Sequence, residues 1–115
     1  MLERNLQTRI RLAISESRMA TMFTNPTGFD NHRNIHYGLT KKGSSDLIGW
    51  TTKPITPDMV GKDVAIFTAI EIKTKTGRVS NEQDNFLAAV RLAGGIAGVA
   101  RSEEEAVEIV IDKTG

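Results

Sequence analysis

Residues 64–72, VAIFTAIEI, constrain the fold of this 115-residue chain more than any other stretch. They are almost wholly apolar or β-branched, which predicts a buried β-strand over residues 64–73. Two charged side chains, Glu71 and Lys73, interrupt that strand near its end. Because a carboxylate or an ammonium is costly to take out of water alone, each of them requires a partner or an ion.

Composition narrows the classes of protein that this chain can belong to. Apolar residues make up 39% and charged residues 25%, which is typical of one globular domain, here spanning residues 1–115. With no cysteine there is no disulfide, thiolate metal site or cysteine nucleophile. No apolar run is long enough to span a membrane, and the N-terminus lacks the apolar core of a secretory signal, so we expect a cytoplasmic protein without a membrane partner.

The net charge of +1 says little about partners, but its distribution says more. Acidic residues outnumber basic ones after residue 101, and the reverse holds for the rest of the chain. A moderately basic body is compatible with a phosphate-backbone partner, although an ordinary mixed surface explains it equally well.

The order of elements predicts a mixed α/β domain, with a mixed central sheet flanked by helices. Ser80 begins a helix, Gly94 and Gly95 end it, and Ser102 with Glu105 forms a capping box for the last helix. The predicted order is α-β-β-β-α-β-α, with helices at 2–18, 80–93 and 103–111, and strands near 35–37, 46–50, 64–73 and 96–100.

Acidic side chains from three elements can converge on the charged end of the long strand. Glu71 and Lys73 are two residues apart and therefore share one face of that strand. Asp46 opens a strand that can lie beside it, and Glu3 lies at the edge of the apolar stripe of the first helix. Oxygen ligands without cysteine or clustered histidine suit Mg²⁺ or Mn²⁺, and Lys73 can stabilise charge that develops on a phosphoryl group.

Three short motifs then identify a family. Asp46 precedes the Glu71-Ile72-Lys73 triplet by 25 residues, which is the PD-(D/E)xK arrangement. With Gly43-Ser44-Ser45-Asp46, Ser80-x-x-Gln83 and a helical Glu3, the chain closely resembles the VRR-NUC family of virus-type replication-repair nucleases. The small stand-alone phage and bacterial members are the most similar. The resemblance runs from Glu3 to the end of the last helix and implies a compact PD-(D/E)xK nuclease fold.

The resemblance also implies roles for individual residues. Glu3, Asp46 and Glu71 would be metal carboxylates, Ile72 would lend its backbone carbonyl, and Lys73 would be the catalytic lysine. Gln83 would sit at the rim of the site. Ser45 departs from the proline of many such enzymes, at a position that shapes the turn and is not a ligand.

The implied activity is metal-dependent, structure-selective endonuclease cleavage of branched DNA such as Holliday junctions, by a homodimer with no small-molecule organic cofactor. Recombination, fork repair and phage genome packaging all remain open as the process served.

Four basic residues flank the predicted site and are candidates for contacts with the phosphodiester backbone. Such contacts position a substrate without reading its sequence, and no helix of the major-groove recognition kind is evident. Gln7 lies one turn after Glu3 and is a possible supporting residue, although a seam residue is the simpler interpretation. The four basic residues are Lys41, Lys42, Lys75 and Arg78.

Each feature also has a purely structural explanation. Glu71 and Lys73 can form an ion pair without catalytic purpose, Asp46 can hydrogen-bond its own turn, and Gln83 can serve only in a capping box with Ser80. Two other functions are also compatible with the pattern. They are a non-catalytic DNA-binding module on a nuclease fold, and a phosphohydrolase of small nucleotides, for which a glycine-rich phosphate loop is missing.

Overall fold

A computed structural model of the protein describes residues 2–39 and 43–111. The chain divides into two compact units, Met1–Lys53 and Pro54–Gly115. The mixed α/β class is confirmed, whereas the assignment of all 115 residues to one domain stays a prediction. No helix within the described ranges is long and apolar enough to cross a membrane. The elements are α1 (Glu3–Ser17), β1 (Ala20–Thr24), β2 (Gly28–Asp30), β3 (Ile35–Tyr37), β4 (Leu47–Thr51), a 3₁₀ turn (Pro57–Met59), β5 (Thr68–Ile72), α2 (Asn81–Leu92), β6 (Ile96–Ala100) and α3 (Glu103–Ile111).

The first unit contains α1 and two antiparallel strand pairs. Helix α1 ends at Arg18, whose left-handed backbone (φ 60°) turns the chain into β1. Strand β1 pairs antiparallel with β4, and β2 pairs antiparallel with β3. Helix α1 packs against β1, with Gln7 and Ile14 half-buried two turns apart. No residue of α1 is fully buried, so its packing leaves most of its surface open.

The second unit is built on a parallel strand pair. Strands β5 and β6 run parallel, as expected for strands joined through a crossover helix, here α2. Helices α2 and α3 both pack against β6. Leu87, Val90 and Ala100 are its fully buried apolar residues, so the small core lies between α2 and β6.

Helix α2 begins and ends as its sequence predicts. The hydroxyl of Ser80 accepts from the backbone N–H of Gln83 at 3.1 Å, while the Gln83 side chain accepts from the N–H of Ser80 at 3.0 Å. At the other end Gly94 has φ +100°, and the N–H of Gly95 bonds to the carbonyl of Val90 at 2.8 Å. The capping box and the glycine stop are therefore both confirmed.

The strands differ from the prediction in number and extent. Strands β1 and β2 were not predicted, and the long strand expected over residues 64–73 is limited to Thr68–Ile72. In place of one central sheet, the described strands pair in three two-stranded sheets. The apolar run at 64–67 instead lies in a loop where Val64 and Ile66 are 63% and 49% exposed, because apolar residues alone do not make a segment pair as a strand.

Candidate active site

Glu71 of β5 and Lys73, which directly follows that strand, meet each other, as expected for extended residues two apart. The ammonium of Lys73 lies 3.6 Å from Oε1 of Glu71. Their side chains are 22% and 29% exposed respectively, so the pair is neither buried in a core nor open to solvent. A half-buried pair in this position remains reachable by a substrate.

Gln83 joins this pair from the first turn of α2. Its Nε2 donates to Oε1 of Glu71 at 2.9 Å, while its Oε1 completes the capping box with Ser80. Both recorded contacts of the Glu71 carboxylate are thus made through one oxygen, Oε1. Among the described residues Oε2 has no recorded contact, which leaves that oxygen available to a cation or to water.

The backbone carbonyl of Ile72 points away from β6. The N–H of Lys73 donates to the carbonyl of Ala100 in β6 at 3.1 Å. Because a trans peptide places its C=O opposite its N–H, the carbonyl of Ile72 in the same peptide unit faces the other edge of β5. No described strand pairs with β5 at that edge, so this carbonyl is an accessible oxygen donor beside Glu71.

Asp46 lies directly before β4 and is exposed, and within the described ranges its side chain makes no recorded hydrogen bond. In the described part of the same segment, the hydroxyl of Ser45 donates to the carbonyl of Leu47 at 2.8 Å. The ligand role of Asp46 stays a prediction.

Asn25 holds the segment that carries Asp46, and sequence reasoning missed it. Its N–H donates to the carbonyl of Asp46 at 2.9 Å, and its Nδ2 donates to the carbonyl of Ser45 at 2.8 Å. Its Oδ1 accepts from the N–H of Leu39 at 3.0 Å. One asparagine after β1 thus ties both ends of the segment 39–46. The only sequence signal is its position before Pro26, which favours a turn.

Glu3 and Gln7 lie one turn apart on α1, in the same unit as Asp46. Glu3 is exposed in the first turn, where a negative charge complements the helix dipole. Gln7 is half-buried on the side that packs toward β1. Neither residue makes a recorded side-chain hydrogen bond within the described ranges, so the proposed ligand role of Glu3 and supporting role of Gln7 stay predictions.

Two of the four flanking basic residues lie in the described part of the chain. Lys75 and Arg78 are exposed in and just after the turn that follows β5, with no recorded partner in the described part of the chain. Lys41 and Lys42 lie outside the described residues. His36 stacks edge-on against Phe29 at 4.8 Å between ring centroids, which gives it a structural role in the β2–β3 pair.

The donors fit a hard divalent cation in kind. Glu71 offers a carboxylate oxygen and Ile72 a carbonyl, which are the oxygen donors that Mg²⁺ and Mn²⁺ prefer. Within residues 2–39 and 43–111, no cluster of three or more Asp, Glu, His or Cys side chains is formed that would hold a metal by itself. Any complete ligand set therefore has to draw on further oxygen donors, such as a backbone carbonyl, water or the substrate phosphate.

Comparison with known proteins agrees with this arrangement of motifs. The model of the VRR-NUC domain matches residues 30–104, well over half of the chain. The matched segment contains Asp46, Glu71, Lys73 and Gln83, while Glu3, Gln7 and Asn25 precede it. No curated protein and no solved structure matches the chain.

Proposed function

The chain belongs to the VRR-NUC domain family, and we propose that it is a structure-selective endonuclease of branched DNA. Membership makes it a nuclease of the PD-(D/E)xK type that acts on DNA. In the proposed site Glu3, Asp46, Glu71 and the carbonyl of Ile72 would hold Mg²⁺ or Mn²⁺. An ion held there would supply Lewis acidity for a phosphoryl oxygen and for the attacking water.

Lys73 contributes a positive charge where negative charge develops. Water adds to phosphorus, the bond to one sugar oxygen breaks, and that oxygen leaves with a proton. The ammonium of Lys73, half-buried beside Glu71, stabilises the added charge on the phosphoryl oxygens. Its ion pair with Glu71 restricts the side chain before substrate arrives, so little ordering remains to be done in the transition state.

One observation carries this proposal, namely the three-residue contact of Glu71, Lys73 and Gln83. A purely structural ion pair needs no second donor, yet the side-chain amide of Gln83 also donates to the carboxylate oxygen that Lys73 contacts. The two donors orient the carboxylate and leave its second oxygen open. Orientation of a ligating carboxylate by hydrogen bonds from neighbouring groups is typical of metal sites.

Branched DNA and a homodimer form the finer part of the proposal. The apolar side chains of Leu2, Leu6 and Ile10 on α1 are 65%, 47% and 42% exposed, which supports burial against a second copy. A two-fold dimer presents two active sites, as symmetric cutting of a four-way junction requires. Trp50 of β4 packs at 5.6 Å between ring centroids against Phe23 of β1.

The decisive experiment compares substrates and metals. Labelled four-way junction, replication fork, flap and linear duplex are incubated with Mg²⁺, Mn²⁺ or EDTA, using wild type, Lys73→Ala and Lys62→Ala. Lys62 is an exposed lysine of the same unit and controls for the loss of one positive charge. We expect metal-dependent cutting of branched DNA, lowered at least about 100-fold by Lys73→Ala and little changed by Lys62→Ala.

Other outcomes would point elsewhere. Binding that persists in EDTA, without cutting under any metal condition, would favour the non-catalytic DNA-binding module. Hydrolysis of mononucleotides with no action on duplex or junction would favour the small-nucleotide enzyme. Cleavage by Lys73→Ala at the wild-type rate would remove Lys73 from the active site.

Asp46 provides a separate test of metal binding. Asp46→Asn keeps the size of the side chain but removes its charge, so we expect weaker binding of Mn²⁺ together with loss of cleavage. Titration calorimetry with Mn²⁺ measures the first effect without any DNA. The exposed Asp58→Asn variant is the matched control, and unchanged Mn²⁺ affinity in Asp46→Asn would exclude Asp46 as a ligand.

A further inference from the structure

Arg101 donates hydrogen bonds to the turn that follows β5 and Lys73. Its Nη1 donates to the carbonyl of Thr74 at 2.6 Å and to the carbonyl of Gly77 at 2.7 Å, and lies 3.3 Å from the carbonyl of Lys75. Since Nη1 carries two hydrogens, the two short contacts are full hydrogen bonds and the third is shared. We call this set of contacts the Arg101 clamp, and residues 74–77 the turn.

The arginine is itself held on both sides. It directly follows β6, whose last residue, Ala100, is buried and accepts from the N–H of Lys73. The N–H of Arg101 donates to the carboxylate of Glu105 at 2.6 Å, and Glu105 lies in the first turn of α3. The backbone at Arg101 is thus held on both sides, and its planar guanidinium presents its donors in a fixed geometry.

The turn carries groups that face solvent. Lys75 lies within it and Arg78 follows it, both exposed and without a recorded partner in the described part of the chain. Apart from the clamp, the recorded hydrogen bond that closes the turn is from the N–H of Gly77 to the carbonyl of Thr74, at 3.2 Å. A turn held by one such bond samples several conformations, and fixing it on binding costs conformational entropy.

From these contacts we propose that Arg101 is a positioning residue that pre-orders the turn, so that Lys75 and Arg78 meet the DNA phosphates in a fixed arrangement. This inference rests on the proposed function. Arg101 acts through its neighbours and does not touch DNA. Lys73 is held independently, by its bond to Ala100 and its ion pair with Glu71, so the clamp governs binding of DNA and leaves the chemical step unaffected.

Kinetics separate these two effects. Arg101→Ala is expected to raise KM for a branched substrate about tenfold, because two basic side chains must then be ordered on binding, and to leave kcat within about twofold. Arg91→Ala is the matched control. Arg91 is a basic residue of the same unit whose recorded contact is a single bond to the carbonyl of Ala97 at 3.1 Å. A KM equal to that of Arg91→Ala would overturn the proposal.

A double-mutant cycle distinguishes positioning from direct contact. In a Lys75→Ala/Arg78→Ala background, Arg101→Ala should have no further effect on the DNA dissociation constant, since the groups it positions are gone. Full additivity would mean that Arg101 binds phosphate itself, which overturns the proposal.

A third measurement needs no DNA. The backbone amides of Lys75, Thr76 and Gly77 should exchange hydrogen faster in Arg101→Ala than in wild type or Arg91→Ala. If the exchange rates in Arg101→Ala equal those of wild type, the Arg101 clamp does not order the turn, even if the enzyme is active. Conversely, a wild-type protein that neither binds nor cuts DNA would end the proposed function, and the exchange rates would still decide whether the clamp orders the turn.

Discussion

Gln83 uses both ends of its amide group, and the two ends have different tasks. Its oxygen accepts from the N–H of Ser80 and so caps α2, while its nitrogen donates to Glu71. The pattern Ser-x-x-Gln predicts the first task from sequence, because the cap is local. The second depends on β5 reaching the start of α2, a contact between residues 12 apart in sequence that only the fold provides.

Gln83→Glu separates these tasks. A glutamate can still accept from Ser80, and its charge suits a helix N-terminus, so we expect the free energy of unfolding to change by less than about 1 kcal/mol. It cannot donate to Glu71 when ionised and adds a like charge beside it. We therefore expect cleavage to fall about 10–100-fold, measured as initial rates on a branched substrate.

Ser80→Ala is the complementary variant. It removes the hydroxyl of the capping box and leaves the amide of Gln83 able to reach Glu71, so it should cost about 1 kcal/mol in urea unfolding with near wild-type cleavage. Equal loss of cleavage in both variants would mean that Gln83 acts only through the helix cap.

At the level of elements, local signals were the predictable ones. The limits of strand β6 and both ends of α2 were predicted to within one residue. Their signals, which are a cap, a glycine stop and a short apolar run, lie within a few residues of the element itself. Strand β1 was missed because it owes its structure to antiparallel pairing with a distant segment, where Ala20 lies opposite Thr51. The same distinction applies to the site. The contact of Glu71 with Lys73 was predictable from their spacing, whereas the contacts of Asn25 and Arg101 join residues distant in sequence and were not.

The end of α2 gives a prediction about stability. Gly94 has φ +100°, and a Cβ added there would meet nothing within 4 Å, so Gly94→Ala is penalised by backbone conformation and not by crowding. We expect a loss of about 1 kcal/mol in the free energy of unfolding. Gly94→Asn should lose less, because asparagine tolerates left-handed backbone better, and an Ala variant as stable as wild type would contradict this explanation.

For the whole molecule, the open face of α1 raises the question of assembly. Leu2, Leu6 and Ile10 lie within about 80° round the helix axis and are all exposed, so they form an apolar stripe, which we propose is covered by a second copy. A hydrophobic interface cannot accommodate unpaired carboxylates, so a charged variant of this stripe should stay monomeric.

Leu6→Glu combined with Ile10→Glu is therefore expected to convert a wild-type dimer into a monomer, as measured by light scattering at micromolar concentration. Leu12→Glu is the control, since Leu12 is 57% exposed on the same helix but lies about 120° and about 160° round the axis from Leu6 and Ile10. A wild type that is monomeric, or a double variant that remains dimeric, would contradict the assignment of this stripe as the interface.

The orientation of one peptide unit affects how the site tolerates change. The oxygen that residue 72 offers belongs to the backbone, and the Ile72 side chain is 79% exposed. Any amino acid that keeps the strand extended presents the same oxygen, so, with this carbonyl as a proposed metal ligand, we expect side-chain substitutions here to leave cleavage unchanged. A scan of point mutations would then score Ile72 as dispensable, and replacement of the amide of Lys73 by an ester would be needed to weaken the proposed ligand. The most accessible apolar side chain of the strand is thus free to change while its main chain is not.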